Sequence, residues 1–286
     1  MFKFSPIIKT MVWGSERWLI SAVPGSESIV AEGPCKGKSL TEIWPEQFPL
    51  LIKFIDARQD LSIQVHPNDE LALKRHGCKG KTEMWYVCGA GEGAHLLCGL
   101  KEKINPQKYV ELVETDRIAD VLDDYKVAEG DVFFLPAGRI HAIGGGCRIA
   151  EIQQCSDITY RIYDYGRKGL DGKPRQLHTQ EAKDAIDYSV QKDYRTHYKA
   201  EPNKQVQIAS CPFFTTCLLD LDRNFNLPLE GRGDFTILIC LEGKGKLKTD
   251  EALDICEGEA VLVPAKEKQL QIAPEGSLKL LSVHID

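Results

Sequence analysis

The sequence contains no long hydrophobic run. Its longest apolar stretch extends only from Thr236 to Leu241, whereas a bilayer-spanning helix needs about 20 apolar residues. The N-terminal region carries Lys3 and Lys9 and has no apolar segment of signal-peptide length. We therefore expect no transmembrane helix, no secretion signal and a cytoplasmic location.

Motifs of paired cysteines are also absent. None of the ten cysteines belongs to a Cys-x-x-Cys pair, which is the spacing typical of zinc-binding and redox motifs. In a chain that is not exported, thiols stay reduced. We expect neither a disulfide framework nor a cysteine-based metal site.

The basic residues form no dense cluster. The chain has 36 lysines and arginines against 42 acidic residues, which gives a formal net charge of −6. No basic segment could follow a nucleic-acid backbone, so the charge pattern excludes nucleic acid as a partner. Because the overall charge repels anions, an anionic substrate would have to be bound by a few cations placed inside a cleft.

Strand-like segments dominate the 286 residues. Runs rich in Val, Ile and aromatic residues, separated by glycine and proline, predict strands at Leu50–Ile55, Leu61–Val65, Met84–Cys88, Asp131–Leu135, Thr236–Leu241, Ala260–Val263 and Leu278–His284. Helical spacing and start signals predict helices at Asp69–His76, Pro106–Asp124 and Thr179–Ile186, with Asn68 capping the first and Thr179 the third. The sequence therefore predicts a mainly β protein.

An internal repeat indicates two related β units. Residues 129–137 resemble residues 257–265 at a constant offset of 128 positions. Residues 88–93 resemble residues 240–245 at an offset of 152 positions. Two matches of this kind are typical of a duplicated supersecondary unit.

The two offsets differ by 24 positions, so the first copy contains an insertion. The predicted helical segment near residues 105–124 has the right size and place to be this insertion. We expect residues 1–190 to form the first unit and residues 200–286 to form the second.

A glycine-proline-histidine pattern refines the expected fold. Gly130, Pro136, Gly138 and His141 form Gly-x5-Pro-x-Gly-x2-His, which resembles the second motif of the cupin superfamily of double-sheet jelly rolls. The motif usually ends with Asn four residues after the His, where this chain has Gly145. The expected fold is therefore mainly β, with two cupin-like jelly-roll units and a small helical insertion.

Four side chains form a candidate metal site in the first unit. Gln64 and His66 are separated by one residue on a predicted strand, so they point to the same face about 6–7 Å apart. Glu83 and His141 come from two other segments, and two histidines with one carboxylate are a common ligand set for zinc or iron. A single His in a β protein can instead be a hydrogen-bonded imidazole without a metal.

The repeat provides an internal control for this site. At the offset of 152, Glu83 corresponds to Phe235, and at the offset of 128, His141 corresponds to Gln269. The second copy therefore lacks both candidate ligands. We expect one metal ion per chain, bound by the first unit, and a metal-free second unit.

Several blocks together resemble class I, zinc-dependent mannose-6-phosphate isomerases in their short bacterial form. The blocks are Leu61–Asn68, Gly80–Trp85, Pro136–Ile143, Val12–Gly14 and Arg175–His178. The resemblance implies an enzyme that interconverts mannose 6-phosphate and fructose 6-phosphate by proton transfer through an enediol or enediolate. It also implies that one zinc ion is the cofactor and a small sugar phosphate the partner.

The resemblance assigns roles to individual residues. The zinc ligands fall on Gln64, His66, Glu83 and His141. The short chain omits much of the helical domain of the longer family members, so phosphate contacts made there cannot be carried over.

The remaining roles belong to the substrate pocket. Arg161, at the end of the run Ser156–Arg161, matches the catalytic arginine, and Ser62 and Lys81 match substrate-binding positions. Glu151 is either a proton acceptor or a carboxylate that holds Arg161 or a ligand histidine.

Two other functions remain open at this point. One is a different metal-dependent cupin enzyme, such as a dioxygenase, and the other is a non-catalytic cupin that binds a sugar phosphate. Gln64, Lys81 and Arg161 favour a polar, phosphorylated substrate over an apolar one. The oligomeric state is not predicted.

Overall fold

The structure is a computed structural model that describes residues 1–44 and 46–285. The helices are α1 (Leu40–Ile43), α2 (Asp69–His76), α3 (Pro106–Glu114) and α4 (Thr179–Ala185), with a 3₁₀ turn at Ile118–Val121. The first eleven strands are β1 (Phe2–Ser5), β2 (Ile7–Met11), β3 (Gly14–Ile20), β4 (Ala22–Val23), β5 (Ser26–Glu27), β6 (Ile29–Glu32), β7 (Leu50–Ala57), β8 (Ile63–Val65), β9 (Glu83–Ala90), β10 (His95–Leu100) and β11 (Leu122–Lys126).

The remaining strands complete a mainly β chain. They are β12 (Val132–Leu135), β13 (His141–Ile143), β14 (Cys147–Gln154), β15 (Tyr160–Tyr163), β16 (Arg195–Thr196), β17 (Gln205–Cys211), β18 (Phe214–Leu221), β19 (Phe225–Pro228), β20 (Phe235–Lys248), β21 (Ala252–Cys256), β22 (Ala260–Pro264) and β23 (Gln269–His284). Within the described ranges, no helix is long and apolar enough to cross a membrane.

The chain divides into two compact units. The larger unit comprises Ile8–Trp18 and Leu50–Arg195, and the smaller unit comprises Met1–Ile7, Leu19–Pro49 and Thr196–Asp286. This division differs from the predicted boundary, which placed all of residues 1–190 in one unit. The difference arises because β1 pairs with β22, so that the beginning of the chain belongs to the sheet of the smaller unit. Pairing between strands that are so distant in the sequence cannot be predicted from a local sequence pattern.

Two sheets enclose the core of the larger unit. One has the order β16-β12-β9-β14-β7-β3-β2 and the other has the order β11-β10-β13-β8-β15. Buried Trp85 and Phe133 from the first sheet pack in one cluster with Leu96 and Ile143 from the second. A double sheet of antiparallel strands around an apolar core is the predicted jelly-roll architecture.

Helices α3 and α4 cover the outer face of the five-stranded sheet. Tyr109, Leu112 and Val113 of α3 are buried in one cluster with Ile63 and with Ala182 of α4. Their i, i+3, i+4 spacing places these three α3 side chains on one face of the helix. The helical insertion thus buries the side of the sheet that faces away from the jelly-roll core.

The predicted helices are confirmed with two corrections. Helix α2 has the predicted bounds, with Asn68 accepting a hydrogen bond from the Leu71 backbone at its start. Helix α3 ends before the predicted Asp124. The chain leaves the helix at Asp116, which has a φ of 56°.

The second correction concerns the start of α4. Thr179 was predicted as its N-cap, but it is the first helical residue, and His178 occupies the cap position without a side-chain cap bond. The side chain at the cap position is therefore not used to satisfy the first backbone N–H groups of this helix.

The smaller unit repeats the strand order of the larger one. Its main sheet has the order β17-β18-β23-β20-β22-β1-β6. The segment β22-β20-β23-β18 therefore matches β12-β9-β14-β7, and β9, β12, β20 and β22 carry the repeated sequences. The register differs by one residue, because Glu83 lies opposite Leu135 whereas Phe235 lies opposite Pro264 rather than Val263.

Candidate metal centre and cleft

Strand β8 sets the first side of the site. Gln64 lies directly opposite His141 of β13 on one side and Arg161 of β15 on the other. Residues directly opposite one another in adjacent strands point to the same face of a sheet. His66 lies two residues after Gln64 and shares that face. The order of the strands therefore brings together residues far apart in the sequence.

Glu83 approaches this group from the other sheet, as the first residue of β9. Its Oε2 lies 3.6 Å from His66 Nε2 and its Oε1 lies 3.3 Å from His141 Nε2. The potential ligand atoms of the three residues all lie within 4.8 Å of one another. Their side chains are at most 2% exposed. Such a compact, buried group of two imidazoles and one carboxylate matches a zinc or iron ligand set.

Both imidazoles are oriented by backbone carbonyls. Nδ1 of His66 donates to the Ile158 carbonyl at 2.9 Å, and Nδ1 of His141 donates to the Arg139 carbonyl at 2.9 Å. A carbonyl can only accept, so the neutral rings keep their Nε2 lone pairs directed at Glu83. This is the arrangement by which proteins fix the tautomer of a metal-binding histidine.

The electrostatics of the cluster favour the protonation states that a metal requires. Burial, reinforced by the Lys81 ammonium, lowers the pKa of His66 to about 3, and burial also lowers the pKa of His141. Burial opposes ionisation of Glu83, but Lys81 and the two imidazoles outweigh it and hold the pKa of this carboxyl well below its usual range. Neutral imidazoles and an ionised carboxylate are the metal-binding forms.

The cluster leaves polar atoms without hydrogen bonds. His66 Nε2 and Glu83 Oε1 are buried and have no hydrogen-bond partner among residues 1–44 and 46–285, whereas Glu83 Oε2 lies 2.8 Å from the Lys81 ammonium. An unsatisfied buried polar group costs about 1–3 kcal/mol. A divalent cation would satisfy both unpartnered atoms at once, so the residues fit the implied metal.

The predicted fourth ligand, Gln64, lies beside the cluster. Its amide nitrogen is 3.2 Å from His141 Nε2. Rotation of the amide by 180° would place its oxygen at the same point, and the choice between the two orientations depends on the surrounding hydrogen bonds. Gln64 therefore has the position that a weak oxygen ligand requires.

A row of alternating charges extends from the cluster. Lys81 Nζ lies 2.8 Å from Glu83 Oε2 and 3.4 Å from Glu151 Oε1, and Lys53 Nζ lies 2.9 Å from Glu151 Oε1 and 3.4 Å from Glu16 Oε2. All five side chains are at most 13% exposed. Each buried charge thus has an opposite charge beside it, which offsets part of the cost of removing it from water.

Glu151 occupies the middle of this row. The Trp85 indole donates to its Oε2 at 2.8 Å, and the neighbouring strands place Trp85 and Lys53 directly opposite it. Burial and the nearby Glu83 carboxylate raise the pKa of Glu151, against the opposing effect of Lys53 and Lys81. Its observed partners are therefore two lysines and a tryptophan, rather than Arg161 or a ligand histidine.

A cleft of about 290 Å³ opens in the larger unit beside these residues. Five residues predicted for the site line it, namely Ser62, Gln64, Lys81, Glu151 and Arg161. Lys81 lies just before β9 rather than on it, and it still reaches Glu83. Because Gln64 contacts His141 and Lys81 contacts Glu83, the cluster of His66, Glu83 and His141 borders this cleft.

Comparison with known proteins agrees with this geometry. The model "Phosphomannose isomerase type I, catalytic domain" matches residues 3–86, and "Mannose-6-phosphate isomerase, cupin domain" matches residues 204–285. Mannose-6-phosphate isomerase ManA of Bacillus subtilis is 32% identical, over 91% of this chain and 92% of that protein. The chain belongs to the mannose-6-phosphate isomerase family. Mannose-6-phosphate isomerase of Streptococcus mutans is also 32% identical, over 94% of this chain and 88% of that protein.

Solved structures of the family share the fold. The crystal structure of mannose 6-phosphate isomerase from Bacillus subtilis superimposes with a TM-score of 0.91 and 30% identity, covering 99% of both chains. Phosphomannose isomerase from Salmonella typhimurium superimposes with a TM-score of 0.81 at 17% identity, covering 100% of this chain and 99% of that chain. At that identity the likeness concerns the fold alone.

Several cleft residues of this family member were not predicted from the sequence. They are Glu16, Lys53, Asp157, Thr159 and Arg175. Lys53 carries a recognisable signal, because it is the lone charge in the apolar strand segment Leu50–Ile55. Arg175 lies in a block that resembled the family but received no role. Glu16 has no local signal, since its position depends on the pairing of β3 with β7.

Proposed function

We propose that this chain is a zinc-dependent isomerase that interconverts mannose 6-phosphate and fructose 6-phosphate in the cytoplasm. The observation that carries the proposal is the buried cluster of His66, Glu83 and His141 beside a cleft lined with cations. Its residues match the ligand set of a catalytic zinc. All ten cysteines lie in the described ranges and are unpaired, which fits a reducing compartment.

Four residues would hold one zinc ion per chain: His66, Glu83, His141 and Gln64. When bound, the ion would supply Lewis-acid polarisation of a sugar oxygen. The smaller unit would remain metal-free, because it has Phe235 and Gln269 where the repeat places Glu83 and His141.

Glu151 would transfer the proton between the two carbon atoms. Starting from mannose 6-phosphate, its carboxylate would remove the proton from C2 and deliver it to C1, while the hydroxyl proton on O2 moves to O1. Glu151 lines the cleft, and its buried Oε1 lies 2.9 Å from Lys53 Nζ and 3.4 Å from Lys81 Nζ. A raised pKa brings a carboxylate closer to the operating pH of a general base.

Two cations would stabilise charge on the substrate. Arg161 lines the cleft, and its Nε is buried with no hydrogen-bond partner in the described ranges. A guanidinium with a free donor suits the negative charge that develops on the enediolate oxygen. Lys81 and Ser62 line the same cleft and would bind sugar oxygens.

A coupled assay of fructose 6-phosphate formation from mannose 6-phosphate tests the proposal. We expect turnover in the purified chain, loss of turnover after chelation, and recovery with zinc. His141→Ala should lose both zinc and activity. Gln269→Ala is the matched control, because Gln269 is exposed and occupies the corresponding position of the smaller unit.

Four results would contradict the proposal. Full activity in a verified metal-free sample would exclude the metal, and two tightly bound zinc ions per chain would exclude the single site. Binding of mannose 6-phosphate without turnover, or oxygen uptake with ferrous iron, would favour the two alternatives raised by the sequence.

A further inference from the structure

Two arginines form ion pairs with one buried carboxylate after strand β15. Asp164, which is 5% exposed, accepts hydrogen bonds from Arg167 and Arg175. Arg167 donates to Asp164 Oδ1 through Nε at 3.0 Å and Nη2 at 2.7 Å. Arg175 donates through Nε to Oδ2 at 2.7 Å and through Nη2 to Oδ1 at 2.5 Å. Both arginines therefore use the same side-on edge of the guanidinium.

The two arginines differ in what their remaining edge does. Arg167 also donates through Nη1 to the Asp60 carbonyl, so both of its edges are used within the protein. Arg175 instead lines the cleft. A guanidinium has five N–H donors arranged in two edges. The contact with Asp164 uses one edge of Arg175, which leaves the end-on edge for a ligand in the cleft.

Arg161 adds a third guanidinium to this group. It lines the same cleft, and its Nη1 donates to the Gln176 carbonyl at 2.9 Å. Burial lowers its pKa, and the nearby Arg175 and Arg167 lower it further against the opposing effect of Asp164. Arg161 is therefore a partly buried guanidinium beside two others of the same charge.

The positive charge of the cleft is balanced unequally. Lys53 and Lys81 lie among three carboxylates, those of Glu16, Glu83 and Glu151. Among the described residues, Arg167 and Arg175 in contrast share Asp164 as their one ion-pair partner, and the Asp157 carboxylate also lines the cleft. An anion in the cleft would consequently be attracted to Arg161 and Arg175 rather than to the lysines.

We propose that Arg175 binds the phosphate group of the substrate through its end-on edge, and that Asp164 is the positioning residue that holds it in place. The identity of the ligand as a sugar phosphate rests on the proposed function. A planar guanidinium matches two oxygens of a phosphate, which a lysine cannot do. Arg167 completes the support of Asp164 without contacting the ligand.

The comparison of Arg175→Gln with Arg167→Gln tests this proposal. The measurements are the KM and kcat for mannose 6-phosphate and the calorimetric binding of inorganic phosphate to the zinc-loaded protein. We expect Arg175→Gln to weaken phosphate binding and raise KM by about tenfold or more, with kcat little changed. Arg167→Gln should change these constants by less than about threefold, because Arg167 does not line the cleft and Asp164 keeps both of its hydrogen bonds to Arg175. Arg175→Lys should bind with intermediate affinity.

The variant Asp164→Asn tests whether Asp164 holds Arg175 in place or only reduces the net positive charge near it. If Arg175 acted only through its net charge, removal of the Asp164 charge would strengthen phosphate binding. If Asp164 positions Arg175, the same variant weakens phosphate binding and raises KM. Thermal unfolding of every variant identifies those that fail to fold, and Arg175→Lys keeps the charge where Arg175→Gln does not.

The outcomes distinguish this proposal from the proposed function. Phosphate binding that is equal in Arg175→Gln and the unchanged chain would overturn the phosphate site, whatever the activity. Tighter phosphate binding in Asp164→Asn would overturn the positioning role. If the unchanged chain binds phosphate through Arg175 but shows no isomerase turnover, the phosphate site stands and the proposed function fails.

Discussion

The two units have the same strand order, but one row of residues that runs across three neighbouring strands is charged in the larger unit and uncharged in the smaller unit. In the larger unit, Lys53, Glu151 and Trp85 lie opposite one another across β7, β14 and β9. The offset of the repeat matches Trp85 to Ile237, whose neighbours across β23 and β18 are Val283 and Thr216. A buried lysine–glutamate pair in one unit thus corresponds to a threonine and a valine in the other.

This difference shows that the fold does not require the charges. The smaller unit builds the same four-strand order with an apolar row, in which Val283 and Ile237 are 0% exposed. Burying ion pairs is often no better for stability than burying apolar residues of similar size. We attribute the charges of the larger unit instead to the chemistry proposed for the cleft and for the cluster of His66, Glu83 and His141.

Replacement of the charged row of the larger unit by the row of the smaller unit is expected to have the largest effect on turnover. The double variant Lys53→Thr/Glu151→Val gives the larger unit the row of the smaller one. We expect turnover to fall by about 10²–10⁴-fold, because the proposed proton-transfer group is lost. The free energy of unfolding should fall further in the single variant Lys53→Thr than in the double variant, because removal of one partner from a buried ion pair costs about 3–5 kcal/mol.

Urea unfolding and the coupled assay check this prediction together. Greater loss of stability in the double variant than in Lys53→Thr would mean that the charged row does support the fold. Turnover that survives in the double variant would remove Glu151 from the proposed mechanism.

The reverse exchange should act on stability alone. Val283→Glu places a carboxylate in the apolar row of the smaller unit, where an unpaired buried charge costs about 3–5 kcal/mol. Adding Thr216→Lys supplies an opposite charge on the neighbouring strand, so the double variant should recover about 1–3 kcal/mol of that loss. A double-mutant cycle by urea unfolding measures the recovery, with turnover per folded molecule as the control. If Val283→Glu has no effect, the comparison of the two rows fails.

Local patterns account for most of what the sequence could predict. Asn68 and Gly77 define both ends of α2, because one side chain caps the helix start and the other residue adopts the left-handed conformation at its end. The spacing of Gln64 and His66 on a strand places both on the face that meets His141. These features depend only on residues close together in the chain.

Features that depend on distant pairing were not predictable in the same way. The pairing of β1 with β22 moves the first residues of the chain into the smaller unit. The pairing of β3 with β7 brings Glu16 to Lys53. Asp164 joins Arg167 and Arg175 through loop conformation rather than through a periodic pattern. One long-range arrangement was nevertheless predictable, because the internal repeat related the strands of the two units.

A change in the helical insertion is expected to have the smallest effect. It tests whether this difference between the units concerns only stability or also the reaction. Asn105 caps α3 by accepting a hydrogen bond from the Lys108 backbone at 2.8 Å. Asn105→Ala should therefore lower the free energy of unfolding by about 1 kcal/mol. Turnover should stay unchanged, because α3 packs on the outer face of the five-stranded sheet and lines no part of the cleft in the described ranges. A fall in kcat without a change in thermal stability would instead link the insertion to the reaction, and the difference between the units would then extend beyond the charged row.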